Sequence, residues 1–182
     1  IRVYEVTRDN HHVGLWYFDP YARSGKHSGA WMNEYRLQER FDGNVTTIVS
    51  NNANFVRGSG SEPVLISWED AVTLFHEFGH GLHHLLTEVN VGDVAGVNGV
   101  EWDAVELPSQ FMENWAWHPE GIALISRHVD TGETLPESML QSMLAAKNFQ
   151  SGMQTLRQLE FALFDLLLHA KTPAPDYPQL LA

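Results

Sequence analysis

The stretch FHEFGH, residues 75–80, sets two histidines four residues apart and places a carboxylate directly after the first histidine. A helix advances about 5.4 Å per turn, so the side chains of His76 and His80 stand one above the other and can bind the same metal ion. Glu77 points about 100° further round the helix, where it can reach a metal-bound water as a general base. The alternative is an ordinary polar stripe on a helix surface.

The residues around this stretch predict a helix over about residues 67–89. Ser67 and Asp70 have the spacing of a capping box at its start, and residues 90–92 mark its predicted end. One arc of the helix is apolar and is expected to pack on the core; it comprises Leu74, Phe75, Phe78, Leu82, Leu85 and Leu86. The opposite arc carries the two candidate ligands together with His83, His84 and Thr87.

Two glycines lie inside this helix, and each costs about 1 kcal/mol relative to alanine at such a position. We interpret Gly79 as a place where another backbone, from a strand or a substrate, approaches closely. Simple packing of a crowded helix is the alternative. We assign His83 and His84 to surface or outer positions rather than to the metal.

A catalytic zinc site needs a third protein ligand and an open fourth position. The stretch WDAVELPSQFMENW, residues 102–115, lies in a second predicted helix, over residues 103–117, and its Glu106 and Glu113 share one face with Gln110. Sequence geometry leaves both glutamates open as the third ligand. Asp103 and Glu106 also have the spacing of a capping box, which is the structural alternative.

The remaining residues predict an α+β fold, mainly α, in which a small N-terminal antiparallel sheet packs on a helical core. Four strand-like segments precede the loop RGSGSEP, at residues 3–6, 13–18, 29–37 and 46–55. Further helices are predicted over residues 119–129, 136–146 and 148–170. We expect one domain over residues 1–182, with a strand-rich part (1–60), a helical part (61–171) and a tail (172–182).

Two segments between these elements invite functional interpretations. The stretch NNANF, residues 51–55, is interpreted as an edge strand that pairs with an extended peptide, or else as an ordinary sheet strand. The stretch VGDVAGVNGVEW, residues 91–102, is expected to be a mobile loop over a cleft, or else a surface loop without such a role.

Composition excludes several classes of partner. The chain of 182 residues carries 11 Lys and Arg against 23 Asp and Glu, a formal net charge of -12, so nucleic acid and anionic membranes are poor partners. No apolar run approaches the roughly 20 residues of a membrane span. Cysteine is absent, so a metal must be held by imidazole and carboxylate, and we expect a cytoplasmic location. The start at Ile1 leads us to expect a fragment of a longer protein.

HEFGHGLHH followed by VELPSQFMENW, with YARSGKHSGAWM and NANF upstream, resembles the thimet oligopeptidase family of zinc peptidases. The similarity runs from about Val3 to His169. It implies a zincin-like core in which His76, His80 and Glu106 bind one zinc ion and Glu77 is the general base. Asp103 is our candidate for a residue that orients one of the imidazoles.

The resemblance implies a metalloendopeptidase that hydrolyses peptide bonds of short oligopeptides. A dipeptidyl carboxypeptidase of the same family is the alternative within this class. The family's substrate-binding segments are not recognisable in these residues. A zinc-binding module without catalytic activity is therefore the alternative from another class.

Overall fold

The computed structural model describes residues 1–60 and 62–170, and it combines a small sheet with helices, as predicted. The strands are β1 (Arg2–Arg8), β2 (His11–Tyr21), β3 (Trp31–Arg36) and β4 (Thr47–Phe55). The helices are α1 (Trp68–Leu85), α2 (Leu107–Trp117), α3 (Pro119–Ile125), α4 (Glu137–Lys147) and α5 (Ser151–His169). The tail predicted over residues 172–182 lies outside the described residues.

The chain divides into two compact units. The first, Ile1–Thr134, contains the sheet and helices α1 to α3. The second, Leu135–Ala182, is described as far as residue 170 and contains α4 and α5. Within the described residues, no helix has the length and apolar character of a membrane span. The single domain expected from the sequence stays a prediction.

The sheet is mixed, so the prediction of a purely antiparallel sheet is wrong. Its strand order is β1-β2-β4-β3, and β4 runs parallel to β2 and antiparallel to β3. Turn signals indicate where strands end but not which strands become neighbours, and here β4 inserts between β2 and β3. The stretch NNANF therefore lies in an inner strand, β4, rather than in an edge strand. The edge strand next to β4 is β3.

Helix α1 begins as the sequence predicts. Ser67 Oγ accepts a hydrogen bond from the backbone N–H of Asp70 at 3.0 Å, and the Asp70 carboxylate accepts one from the Ser67 N–H at 3.1 Å. The helix ends at Leu85, earlier than predicted, because the following residues bond to another segment. Gln38 Nε2 donates to the carbonyl of Val89 at 2.9 Å, and the Arg40 N–H donates to the carbonyl of Asn90 at 2.9 Å.

The sheet covers one side of α1. Phe78 packs against Trp16 with ring centroids 4.9 Å apart, and Gly81 lies against Asn51 of β4. The predicted division of α1 into an apolar and a histidine arc holds only in part, since His84 is 1% exposed and Leu86 is 50% exposed. The fully buried apolar residues of this unit include Val49, Ala53, Leu85, Ala95, Ala116 and Ile122.

The segment between α1 and α2 is more ordered than the predicted loop. It forms two short 3₁₀ turns, Gly92–Val94 and Gly96–Gly99. Gly96 is buried with φ of +60°, and any Cβ there would collide with the ring of His84. This segment therefore forms part of the cover over His84. Mobility of the segment stays a prediction.

Helix α2 begins at Leu107 rather than at residue 103. Proline has no N–H and is tolerated only in the first turn of a helix, so Pro108 sets the start. Residues 101–106 instead form turns, with the Ala104 N–H donating to the carbonyl of Glu101 at 2.9 Å. This short helix leaves Glu106 at its N-terminal boundary, next to α1.

Candidate metal and catalytic site

Helices α1 and α2 approach each other at Gly79. A Cβ on this glycine would lie 2.5 Å from the Cα of Ser109 and 2.7 Å from the carbonyl oxygen of Pro108, distances that no side chain can occupy. The predicted close approach of a backbone at Gly79 is therefore confirmed. The approaching backbone belongs to the first turn of α2, not to a strand or a substrate. Gly79 thus brings the residues before α2 up to the histidines of α1.

The three predicted metal ligands lie together. Glu106 Oε2 is 3.1 Å from His76 Nε2 and 3.0 Å from His80 Nε2. One ligand atom from each residue falls within 4.8 Å of the others. The imidazole rings stand edge to face, with centroids 5.1 Å apart and an angle of 82° between their planes.

This donor set fits a zinc ion. Two imidazole nitrogens and one carboxylate oxygen are ligands that zinc accepts. In tetrahedral coordination at roughly 2.0–2.2 Å, ligand atoms lie about 3.3 to 3.6 Å apart, a few tenths of an ångström more than the two distances found here. The side chains of His76, His80 and Glu106 are 25%, 13% and 50% exposed. A molecule from solvent can therefore reach the Glu106 side of the cluster.

Glu113, the other glutamate left open by the sequence, contacts the opposite nitrogen of His76. Its Oε1 lies 2.7 Å from His76 Nδ1, and Glu113 follows Glu106 by seven residues, about two helical turns. Glu106 and Glu113 therefore flank the same imidazole from its two nitrogens. Asp103, which we expected to orient an imidazole, is exposed, and among the described residues it forms no hydrogen bond with His76 or His80. That expectation is wrong, because α2 begins after Asp103 and carries Glu113 to the ring instead.

Ser109 holds the carboxylate of Glu106 in place. Its hydroxyl lies 2.8 Å from both Glu106 Oε2 and the Glu106 carbonyl oxygen, and Ser109 is fully buried. The hydrogen bond from Ser109 lowers the pKa of Glu106, burial opposes this, and the neighbouring His80 and His76 lower the pKa further. Sequence reasoning missed Ser109. Its position one turn after Glu106, beside Pro108, was the only available signal.

Glu77 lies between the histidines and the sheet. It is half-buried, and the pKa of its carboxyl is raised, mainly by burial. The histidines His76 and His80 lower this pKa, and the nearby Glu106 raises it. The backbone of Met32 in β3 also lowers it. The backbone of Glu77 is also fixed, because its carbonyl accepts a hydrogen bond from Asn51 Nδ2 at 2.5 Å. Asn51 is itself buried and accepts from Trp16 Nε1 at 2.6 Å.

The other two histidines of α1 lie outside the cluster. Burial lowers the pKa of both His83 and His84, which favours neutral rings. Within the described part of the chain, His83 Nδ1, His84 Nε2 and His80 Nδ1 are buried nitrogens without a hydrogen-bond partner. The structure brings neither His83 nor His84 to Glu106, and their assignment away from the metal stays a prediction.

A helix with the His-Glu-x-x-His spacing, joined by a carboxylate from the next helix, is the pattern of a metallopeptidase. The chain belongs to Peptidase family M3, whose model matches residues 1–180. The resemblance noted from the sequence motifs is thereby confirmed.

Three relatives illustrate the similarity. Oligopeptidase A of Haemophilus influenzae is 49% identical over 184 residues, which cover 100% of this chain and 27% of the relative. Oligopeptidase A of Escherichia coli is 51% identical over 174 residues, covering 94% of this chain and 26% of the relative. Dipeptidyl carboxypeptidase of Escherichia coli is 37% identical over 171 residues, covering 93% and 25%. The chain thus spans about a quarter of the length of these curated relatives.

Proposed function

We propose that this chain carries the metal-binding and proton-transfer part of a zinc-dependent oligopeptidase that hydrolyses peptide bonds of short peptides. One observation carries the proposal: the ligand atoms of His76, His80 and Glu106 converge beside the half-buried carboxylate of Glu77. Two relatives that are about 50% identical to the chain are oligopeptidases, which supports the same activity.

His76, His80 and Glu106 would hold one zinc ion. When bound, zinc acts as a Lewis acid that polarises the carbonyl of the scissile bond and makes water a better proton donor. The protein fixes the ligands through Ser109, which hydrogen-bonds Glu106, and through Glu113, which hydrogen-bonds His76.

Glu113 acts as a positioning residue for His76. A proton on His76 Nδ1 that is donated to Glu113 leaves the lone pair of Nε2 free for the metal. Glu113 therefore fixes both the tautomer and the orientation of the ring. In this proposal Glu113 has the orienting role that the sequence suggested for Asp103.

Glu77 is the general base in this proposal. It takes the proton of the attacking water and delivers it to the nitrogen of the leaving amine, without a covalent intermediate. The Asn51 hydrogen bond to the Glu77 carbonyl fixes the backbone from which this carboxylate extends.

The neighbouring sheet edge suits an extended peptide. Among the described residues β3 pairs only with β4, so its outer edge offers main-chain N–H and C=O groups for strand addition. The backbone of Met32, in β3, lies at the Glu77 carboxylate. A peptide added along β3 would therefore pass beside the proposed general base.

Endopeptidase activity is preferred to the two alternatives. The dipeptidyl carboxypeptidase is 37% identical to the chain, against about 50% for the two oligopeptidases. A non-catalytic zinc module does not need a carboxylate at position 77. In this chain Glu77 supplies one, and a hydrogen bond to its backbone carbonyl holds it in place. We also propose a cytoplasmic location, because a cysteine-free metal site suits a reducing compartment.

The test compares the zinc-loaded chain with its Glu77→Gln variant on an internally quenched short peptide. We expect the variant to bind one zinc ion per chain and to lose about 10²- to 10⁴-fold in cleavage rate. Cleavage by Glu77→Gln at the wild-type rate would refute the role of Glu77. One bound zinc ion without cleavage by the wild-type chain would favour the non-catalytic module.

A further inference from the structure

The connection between β2 and β3 is held by a buried lysine. The Lys26 side chain is 3% exposed, and its ammonium donates to three backbone carbonyls. The acceptors are Asp19 at 2.7 Å, Tyr21 at 3.0 Å and Ala53 at 2.5 Å. An ammonium group has three donors, so these carbonyls use its full capacity.

The three carbonyls lie at an irregularity in the sheet. Asp19 of β2 faces Asn52 of β4, but the next pair is Tyr21 with Phe55, so β4 contains one extra residue here. A bulge of this kind interrupts the hydrogen-bond ladder and leaves strand groups in need of other partners. Pro20, between the two β2 residues, supplies no N–H. Lys26 provides donors at the point where the ladder breaks.

Charge reinforces this arrangement. Asp19 Oδ1 lies 3.2 Å from Lys26 Nζ, and both oxygens of Asp19 accept from Arg23, at 2.8 and 2.7 Å. Burial alone would raise the pKa of Asp19, but the hydrogen bonds and positive charges of Arg23 and Lys26 lower it below its ordinary value. Arg23 still pairs with Asp19 when Lys26 is removed, whereas removing Asp19 takes away the carboxylate beside the buried Lys26 ammonium.

A second anchor holds the end of the same connection. Asn54 Nδ2 donates to the carbonyls of His27 and Gly29, both at 2.7 Å. Gly29 has φ of +88°, a backbone conformation that glycine adopts without strain. Strand β3 begins two residues later, at Trp31. We call Asp19, Lys26 and Asn54 together the β3 clamp.

The position of β3 matters because its backbone borders the proposed catalytic carboxylate. Met32, one residue into the strand, has its backbone at Glu77. In the part of the chain that the structure describes, β3 has a neighbouring strand on one side only, so its start depends on the preceding connection as well as on β4. A shift of β3 along β4 would move the free edge relative to Glu77.

We propose that Lys26 and Asp19 are positioning residues that fix edge strand β3 beside Glu77 and so set the register in which an extended peptide binds. The part concerning peptide binding rests on the proposed function; the ordering of β3 by the clamp does not. Among the described residues, no hydrogen bond or ion pair joins Lys26 or Asp19 to the proposed metal ligands, and each acts through the backbone of the β2–β3 connection.

Hydrogen exchange of the zinc-loaded chain tests the ordering of β3. Lys26→Met keeps the aliphatic stem and removes the three donors. We expect amides of residues 30–36 to exchange at least about tenfold faster in this variant, with α1 amides and zinc affinity unchanged. Lys147→Met, at an exposed position in α4, is the matched control and should leave the exchange of residues 30–36 unaltered.

Two outcomes would overturn the proposal. The first is exchange in residues 30–36 that stays at the wild-type rate. The second is exchange that rises equally in β3 and α1, which would make Lys26 a general stabilising residue. If Lys26→Met does not fold, Asn54→Ala gives the same test, since it removes only the two bonds to the His27 and Gly29 carbonyls. The proposal then requires faster exchange confined to residues 22–36.

Peptide binding is measured separately in the Glu77→Gln background, where cleavage is expected to be about 10²- to 10⁴-fold slower. We expect Lys26→Met to weaken binding of an uncleaved short peptide there by about tenfold or more, and Asp19→Asn to weaken it less. Equal affinity with and without Lys26→Met would refute the effect on register. Absence of peptide binding in Glu77→Gln itself, with β3 exchange changed as expected, would instead count against the proposed function and leave the ordering role intact.

Discussion

Glu106 and Glu113 lie seven residues apart, and the structure gives them different nitrogens of the same histidine. Glu106 approaches Nε2 and Glu113 approaches Nδ1 of His76. A ligand and a residue that orients a ligand should respond differently to loss of charge. Replacing the ligand removes a bond to the metal, whereas replacing the orienting residue leaves the bond and weakens its geometry.

We therefore expect Glu113→Gln to lower zinc affinity by about 10- to 100-fold and Glu106→Gln to lower it further. Asp103→Asn is the control, because Asp103 is exposed and, among the described residues, forms no hydrogen bond with either imidazole. This variant should retain the wild-type zinc affinity. The measurement is competition for zinc with a chromophoric chelator. Equal affinities for Glu113→Gln and the wild-type chain would show that the Glu113 contact does not orient His76.

At the scale of elements, the site depends on how closely α1 and α2 pack. The closest approach is at Gly79, where the backbone of Pro108 and Ser109 occupies the space of a side chain. Any side chain at this position must push α2, and with it Glu106, away from the histidines.

We expect Gly79→Ala to destabilise the protein by about 1 to 3 kcal/mol through overpacking, although alanine alone favours a helix by about 1 kcal/mol. Zinc affinity should fall in the same variant. Gly152→Ala, near the start of α5, is the matched control, since a Cβ there meets no atom of the described residues within 4 Å. Denaturant unfolding and zinc titration of both variants measure the two effects. A Gly79→Ala protein as stable as Gly152→Ala would contradict the close packing.

The elements that local sequence patterns describe were predicted well. The capping box at Ser67, the two histidines on one face and the approximate strands all depend on neighbours within a few residues. Features that depend on distant segments were not predicted. Strand β4 inserts between β2 and β3, and Glu113 rather than Asp103 contacts His76. His84 is buried because the sheet and the turn at Gly96 both cover it, and no local period encodes that.

At the scale of the whole molecule, buried His84 links stability to pH. Burial lowers the pKa of His84 below its ordinary value of 6.5. The charge of Glu34 raises this pKa, whereas His83 and His80 lower it further. The unfolded chain therefore binds more protons than the folded chain below about pH 6.5. The stabilisation that comes from a neutral His84 is fully present above that pH and is lost as the pH falls towards the lower folded pKa.

We expect the free energy of unfolding of the metal-free chain to fall between pH 7 and pH 5, and the fall to be shallower in His84→Leu. One proton corresponds to a slope of up to about 1.4 kcal/mol per pH unit. Val49→Ala is the control, because it removes buried apolar atoms without a titratable group and should keep the wild-type slope. An unchanged slope in His84→Leu would show that other groups account for the pH dependence.

The strand order also has a consequence for how the sheet is assembled during synthesis. The β1–β2 hairpin has both of its strands once Tyr21 has been made, whereas β3 lacks a partner until β4, ending at Phe55, has followed it. Strand β3, which lies beside Glu77, can therefore pair in the sheet only after β4 has been made. In refolding followed by pulsed hydrogen exchange, we expect β1 and β2 amides to gain protection before those of β3, and simultaneous protection would exclude this sequence of events.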